Sequence, residues 1–165
     1  MILYAIEKAL YFNGNKHFET SINILKRLKY DNKTIDKVLT LIKYQDYEIG
    51  EFKQLKRILS VIGENRLRDI LEIKEAYIKT EVPNHYEIKH KTLLEAQCSL
   101  NKIIEEKQCY SLKDLNINGN DLLNLGIHKG KEIGIILEKL LLIVLDNPEL
   151  NCKEKLLEVV KKEFV

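Results

Sequence analysis

Apolar residues recur at three- and four-residue spacing along most of this chain, and little in the sequence interrupts them. Ile22, Leu25 and Leu28 are placed this way, as are Ile35, Val38, Leu39 and Ile42, and again Leu55, Ile58, Leu59 and Ile62. Such spacing turns one face of a helix into a core and leaves the other to water. Only two prolines and seven glycines punctuate 165 residues. Leu, Ile, Lys and Glu dominate, which favours helix over sheet. The expected fold is all-α, with enough chain for one good core or two small lobes.

The spacing predicts helices over 18–29, 34–44, 51–62 and 64–79, after a weak first helix over 1–10. Asp31 or Asn32 can cap the second of the four, and Gly63 allows a sharp break before the last. Val82-Pro83-Asn84 is the clearest hinge, because a proline disfavours helix in the residue before it. Beyond it a long helix is expected over 86–107, then a loop around Ser111 and two more helical runs. Asn151-Cys-Lys-Glu154 has capping-box spacing for a final helix to about Glu163. Ile133 to Leu145 is strongly apolar but contains Glu138 and Lys139. It is too short to cross a bilayer and reads as a buried core helix, so no membrane association is expected.

Charge narrows the partners. The net charge is +2, divided as +3 over residues 1–82 and −1 over 83–165. A chain that held RNA by bulk electrostatics would be more basic, so any such contact must use local patches and shape. Cys98, Cys109 and Cys152 are odd in number and show no metal-ligand spacing. Reduced thiols in a cytoplasmic protein are the expectation, rather than disulfides or zinc. No apolar run preceded by basic residues marks a signal peptide at the N-terminus.

The most informative stretch runs from Ser111 to Gly134. Two helical runs are joined there by Gly126-Ile127-His128-Lys129-Gly130, and Gly134 lies one turn into the second. A helix opening at Lys129 to Lys131 would aim unpaired N–H groups and a positive dipole end outward beside two lysines, which suits a phosphate. The same spacing also suits a plain turn between packed helices, with Gly134 present for close packing.

This stretch carries a resemblance. Ser111-Leu-Lys-Asp-Leu, Ile117-Asn-Gly-Asn-Asp-Leu, Leu125-Gly-Ile, Gly130-Lys-Glu-Ile-Gly and Asn147-Pro-Glu-Leu-Asn151 together resemble the C-terminal region of bacterial CCA-adding enzymes, the tRNA nucleotidyltransferases related to poly(A) polymerases. Upstream, Ile24-Leu-Lys-Arg-Leu-Lys-Tyr-Asp-Asn-Lys-Thr-Ile35, Leu41-Ile-Lys-Tyr-Gln-Asp46 and Ile62-Gly-Glu-Asn-Arg-Leu-Arg-Asp69 resemble the HD-like helical region preceding that tail. The likeness covers about Asn15 to the C-terminus. It implies a two-lobed array: a degenerate HD-like body over 1–82 and a helical tRNA-binding tail over 83–165. The family commonly has proline where this chain has Lys129, which loses a rigid helix start and adds a charge.

The resemblance also implies what this stretch of chain does not do. Family members transfer nucleotides from a head with a Gly-Ser motif and an Asp-x-Asp pair that hold two metal ions. Neither pattern occurs in these 165 residues. The chain is therefore expected to lack the catalytic head and to need no cofactor itself; Mg2+ with CTP or ATP would belong to that head. In HD-type hydrolases, histidines and a His-Asp pair hold a metal. Here His17 and Asp46 are the remnants, and Gln45 stands where a histidine would be. Two ligands do not make a stable site.

The RNA candidates are Arg27 and Lys29 before Tyr30; Lys53, Lys56 and Arg57 within one turn; Arg66 and Arg68 just past Gly63; and Gly126, His128, Lys129, Gly130, Lys131 and Gly134 in the turn. Each cation could instead belong to a solvated face with i,i+4 partners such as Glu64–Arg68. The leading expectation is a holder of tRNA, or another structured RNA, gripping the acceptor and elbow side by its backbone. Its rivals are a helical protein–protein module that docks on a separate nucleotidyltransferase head, and a residual metal phosphohydrolase.

Overall fold

A computed structural model of the chain describes residues 17–44, 47, 49, 51–80, 82–128 and 130–164. The weak first helix expected over 1–10, and Gln45, Asp46 and Lys129, lie outside these residues. Every regular element among the described residues is helical: α1 (His17–Arg27), α2 (Asn32–Tyr44), α3 (Phe52–Ile62), α4 (Glu64–Ile78), α5 (Pro83–Glu105), α6 (Gly119–Asn124), α7 (Gly130–Asp146) and α8 (Lys153–Glu163). Short 3-10 turns at Leu112–Asp114 and Pro148–Leu150 complete the order. The fold is all-helical.

The chain divides into two compact units, Met1–Glu48 with Ile62–His90, and Ile49–Val61 with Lys91–Val165. This division follows contacts rather than chain order. Helix α3 falls almost wholly in the second unit, and the long α5 passes from one unit to the other at His90. Pro83 is the first residue of α5, where its missing N–H costs nothing, so the hinge signal marks a helix start.

In the first unit, α2 packs against α1 and α4. Among the described residues, Leu25, Ile35, Ile62, Leu67, Ile70, Leu71 and Ile78 are its buried apolar residues. Asp31 caps α2 as its position suggests: its carboxylate accepts from the Thr34 N–H at 3.0 Å and from the Thr34 hydroxyl at 2.6 Å. Leu28 was expected in the helix, but α1 ends at Arg27 and leaves Leu28 53% exposed. Gly63, with φ +80, makes the break before α4.

In the second unit, the core gathers Cys109, Leu115, Ile117, Leu122, Ile127, Ile136, Leu140, Leu141, Val144, Leu145, Leu156 and Val160. Helix α7 supplies five of these, in agreement with its apolar sequence, yet Ile135 and Leu142 lie on its far side about half exposed. It is a one-sided core helix, and no described helix is long and apolar enough to cross a membrane.

Two polar devices set the approach to α6 and α8. Asn118 caps α6 by accepting from the N–H groups of Asn120 and Asp121, while Asp121 accepts from the Asn118 N–H. Asn151 is not the cap of α8; Cys152 is, and its thiol donates to the Glu154 carboxylate at 2.7 Å instead of capping a backbone N–H. The Asn151 side chain instead reaches back across the unit. Its Oδ1 accepts from the Asn116 N–H at 2.9 Å and its Nδ2 donates to the Asp114 carbonyl at 2.9 Å.

Candidate nucleic-acid interface

The turn between α6 and α7 is built by local rules. After Leu125, Gly126 takes φ +88, a left-handed conformation that costs a side-chain-bearing residue roughly 1 kcal/mol. The chain then reverses, with the Ile127 N–H donating to the Leu122 carbonyl at 3.2 Å. Ile127 drops into the core and pins the turn from below, while Gly126, His128, Gly130 and Lys131 face solvent. Helix α7 opens at Gly130, so its first N–H groups lie at the surface. Lys131 has no ion pair among the described residues.

Close packing is not the role of Gly134: a Cβ there would meet nothing within 4 Å. The close approach falls at Gly119, where an added Cβ would stand 3.4 Å from Ile133 Cγ2. Beside the turn, Lys153 pairs with Asp121 at 2.6 Å. That pair, together with the cap at Asn118, holds the Asp121 carboxyl below its usual range.

The second group of candidates does not form the basic ridge its spacing suggested. Lys53 is exposed, but Lys56 is 1% exposed and its Nζ lies inside the second unit. Leu55, Ile58 and Leu59 flank Lys56 and are buried, and the turn of α3 that carries it points the same way. In this conformation Lys56 cannot reach a phosphate. Arg57 is exposed but engaged: it donates to both oxygens of Asp146, at 2.7 and 3.0 Å. Asp146 is the last residue of α7, where a carboxylate meets the negative end of the helix, and Arg57 offsets that.

This pair also locates α3. It places Arg57 at the C-terminal end of α7, and the Gly130 turn lies at the other end, about 25 Å away for a helix of 17 residues. Exposed Lys131 and ion-paired Arg57 therefore lie at opposite ends of α7 and do not share one contact point.

In the first unit, Arg66 pairs with Asp36 and Arg68 with Glu64, the latter the i,i+4 pair that the spacing allows. Lys37 and Asp69 add a pair at 2.8 Å between α2 and α4. These cations sit in local ion pairs. Arg27 and Lys29 remain exposed, with Tyr30 beside them and Lys29 at φ 58 as α1 ends. His17 opens α1. Of the other histidines, His85 is exposed, and His90 stacks on Tyr86 with ring centres 5.1 Å apart.

Sequence reasoning missed two features of the second unit. One is the Asn151 link, whose signal was a second Asn at position 116 in a loop that needed a partner. The other is the burial of Lys56 near Cys109, which had no signal beyond its position among apolar neighbours. Burial pushes the Cys109 thiol up to about 11, with Asp114 adding to the effect.

These features define a class: an all-helical chain with exposed, dispersed cations and an outward-facing helix start. Residues 8–160 match the family described as "tRNA nucleotidyltransferase domain 2 putative". The match spans most of the chain, and the chain belongs to that family. No curated protein and no solved structure matches it.

Proposed function

We propose that this chain is the RNA-holding, C-terminal portion of a CCA-adding tRNA nucleotidyltransferase or a poly(A) polymerase relative, and that it grips the acceptor and elbow side of tRNA through backbone phosphates. The family match carries the reading. The exposed turn supports it, because Gly126, Gly130 and Lys131 lie where a phosphate could meet the start of α7. Exposed lysines spread over the second unit, among them Lys53, Lys131, Lys155 and Lys162, suit contact with separated backbone segments of a folded RNA better than base reading does. Residues 1–82 would be the HD-like body, with Arg27, Lys29 and Tyr30 as its contribution to the RNA surface. Nucleotide addition itself belongs to a catalytic head carrying the metal-binding carboxylates.

The test is binding of labelled tRNA to the wild type and to the Lys129→Glu plus Lys131→Glu variant. The variant is expected to stay folded by circular dichroism and to lose at least tenfold in affinity. Unchanged affinity would remove the turn from the interface.

A further inference from the structure

Lys56 is the anomaly of the second unit. It is as buried as the leucines beside it, and its Nζ has no hydrogen-bond partner. One ionisable group acts on it, the buried thiol of Cys109. The anion that acts on that thiol, Asp114, faces solvent and already accepts from the Tyr110 and Ser111 N–H groups and the Ser111 hydroxyl. Arg57, on the next position of α3, points outward to Asp146. An ammonium has three donors to satisfy, and burying it without partners shifts the balance toward the neutral amine. A neutral amine next to a thiol carries no such penalty.

We propose that Lys56 is a proton-sensitive latch for α3, which seats in the second unit with the Lys56 amine uncharged and is loosened when that amine takes up a proton. Lys53 and Arg57 ride on the same helix, so loosening α3 displaces the exposed cations at that end of the unit. The latch rests on the packing of the unit and stands whether or not the partner is tRNA.

The direction follows from burial, which lowers the Lys56 pKa from the ordinary 10.5. Between its folded value and 10.5, the opened chain binds a proton that the closed unit does not. The closed state therefore gains stability as pH rises through that window, and below the window the deficit is constant.

The experiment is a titration of the lysine side-chain nitrogens by NMR in the full chain, joined to amide hydrogen exchange of α3 and α7. Lys56 is expected to titrate below Lys53, which lies exposed on the same helix. Protection of α3 relative to α7 should rise with pH through the Lys56 midpoint, and Lys56→Met should abolish that rise. A Lys56 midpoint equal to that of Lys53 would overturn the proposal, and it can be read on the wild type even if Lys56→Met fails to fold. A ratio that still rises with pH in a folded Lys56→Met chain would overturn it too.

Discussion

Replacing Asn151 by alanine should destabilise the second unit by about 1–2 kcal/mol. The side chain makes two bonds to backbone 35 and 37 residues away, accepting from the Asn116 N–H and donating to the Asp114 carbonyl, each at 2.9 Å. A net bond of this kind is worth about 0.5–1.5 kcal/mol, and exposed Asn116 lets water replace part of the loss. The Asn116 Nδ2 bond to the Asn151 carbonyl survives, since it needs only the backbone. Asn151→Asp should be no better than alanine: it keeps the acceptor but turns a second oxygen toward the Asp114 carbonyl, where a donor is required. Urea unfolding at unchanged m-value measures both. An alanine variant within about 0.3 kcal/mol of wild type, or an aspartate variant equal to wild type, would refute the linkage as drawn. The link anchors the loop leading into α6, so Asn151→Ala should also weaken RNA binding modestly through a looser Gly126 turn.

Gly126→Ala should cost about 1 kcal/mol by urea unfolding, because the φ of +88 is strained for alanine although nothing crowds its Cβ. Leu140→Ala, at a fully buried site of α7, should cost about 2–5 kcal/mol. Thiol labelling of the native chain should modify exposed Cys98 first and buried Cys109 last. At alkaline pH, Cys109 should work against stability: its folded pKa of about 11 exceeds the ordinary thiol value of 9.0, so the folded state keeps a proton that the unfolded chain releases. Stability is full below about pH 9 and lost as pH rises toward about 11; Cys109→Ala should remove this loss, separating it from the opposite trend of Lys56.

Helices were legible because the periodic signal is strong: α3 and its face of Leu55, Ile58, Leu59 and Ile62 lie where the pattern puts them. The cap at Asp31 and the break at Gly63 were legible for local reasons, a side chain beside its own helix start and a glycine able to take positive φ. What the pattern could not supply was tertiary. Lys56 shares a periodic face with the core of α3, but residue type alone suggested a surface cation. Asn151 had the spacing of a cap, and a more distant pair of backbone groups at Asp114 and Asn116 took its side chain. The same limit applies to the site. The turn at Gly126 is local and could be drawn from sequence, whereas the ridge drawn from Lys53 to Arg68 counted Lys56, which the packing of α3 buries. The opposed ends of α7 emerged only from the Arg57–Asp146 pair.

The central claim is that this chain holds a folded RNA by its sugar-phosphate exterior. Equilibrium binding to tRNA between about 50 and 200 mM salt tests it most directly, since each neutralised phosphate adds roughly 0.7–0.9 to the slope of log affinity against log salt. The account predicts a steep linear fall with salt and a slope reduced by about 1 in Lys131→Glu. Binding that is absent at low salt, or that ignores salt, would contradict it.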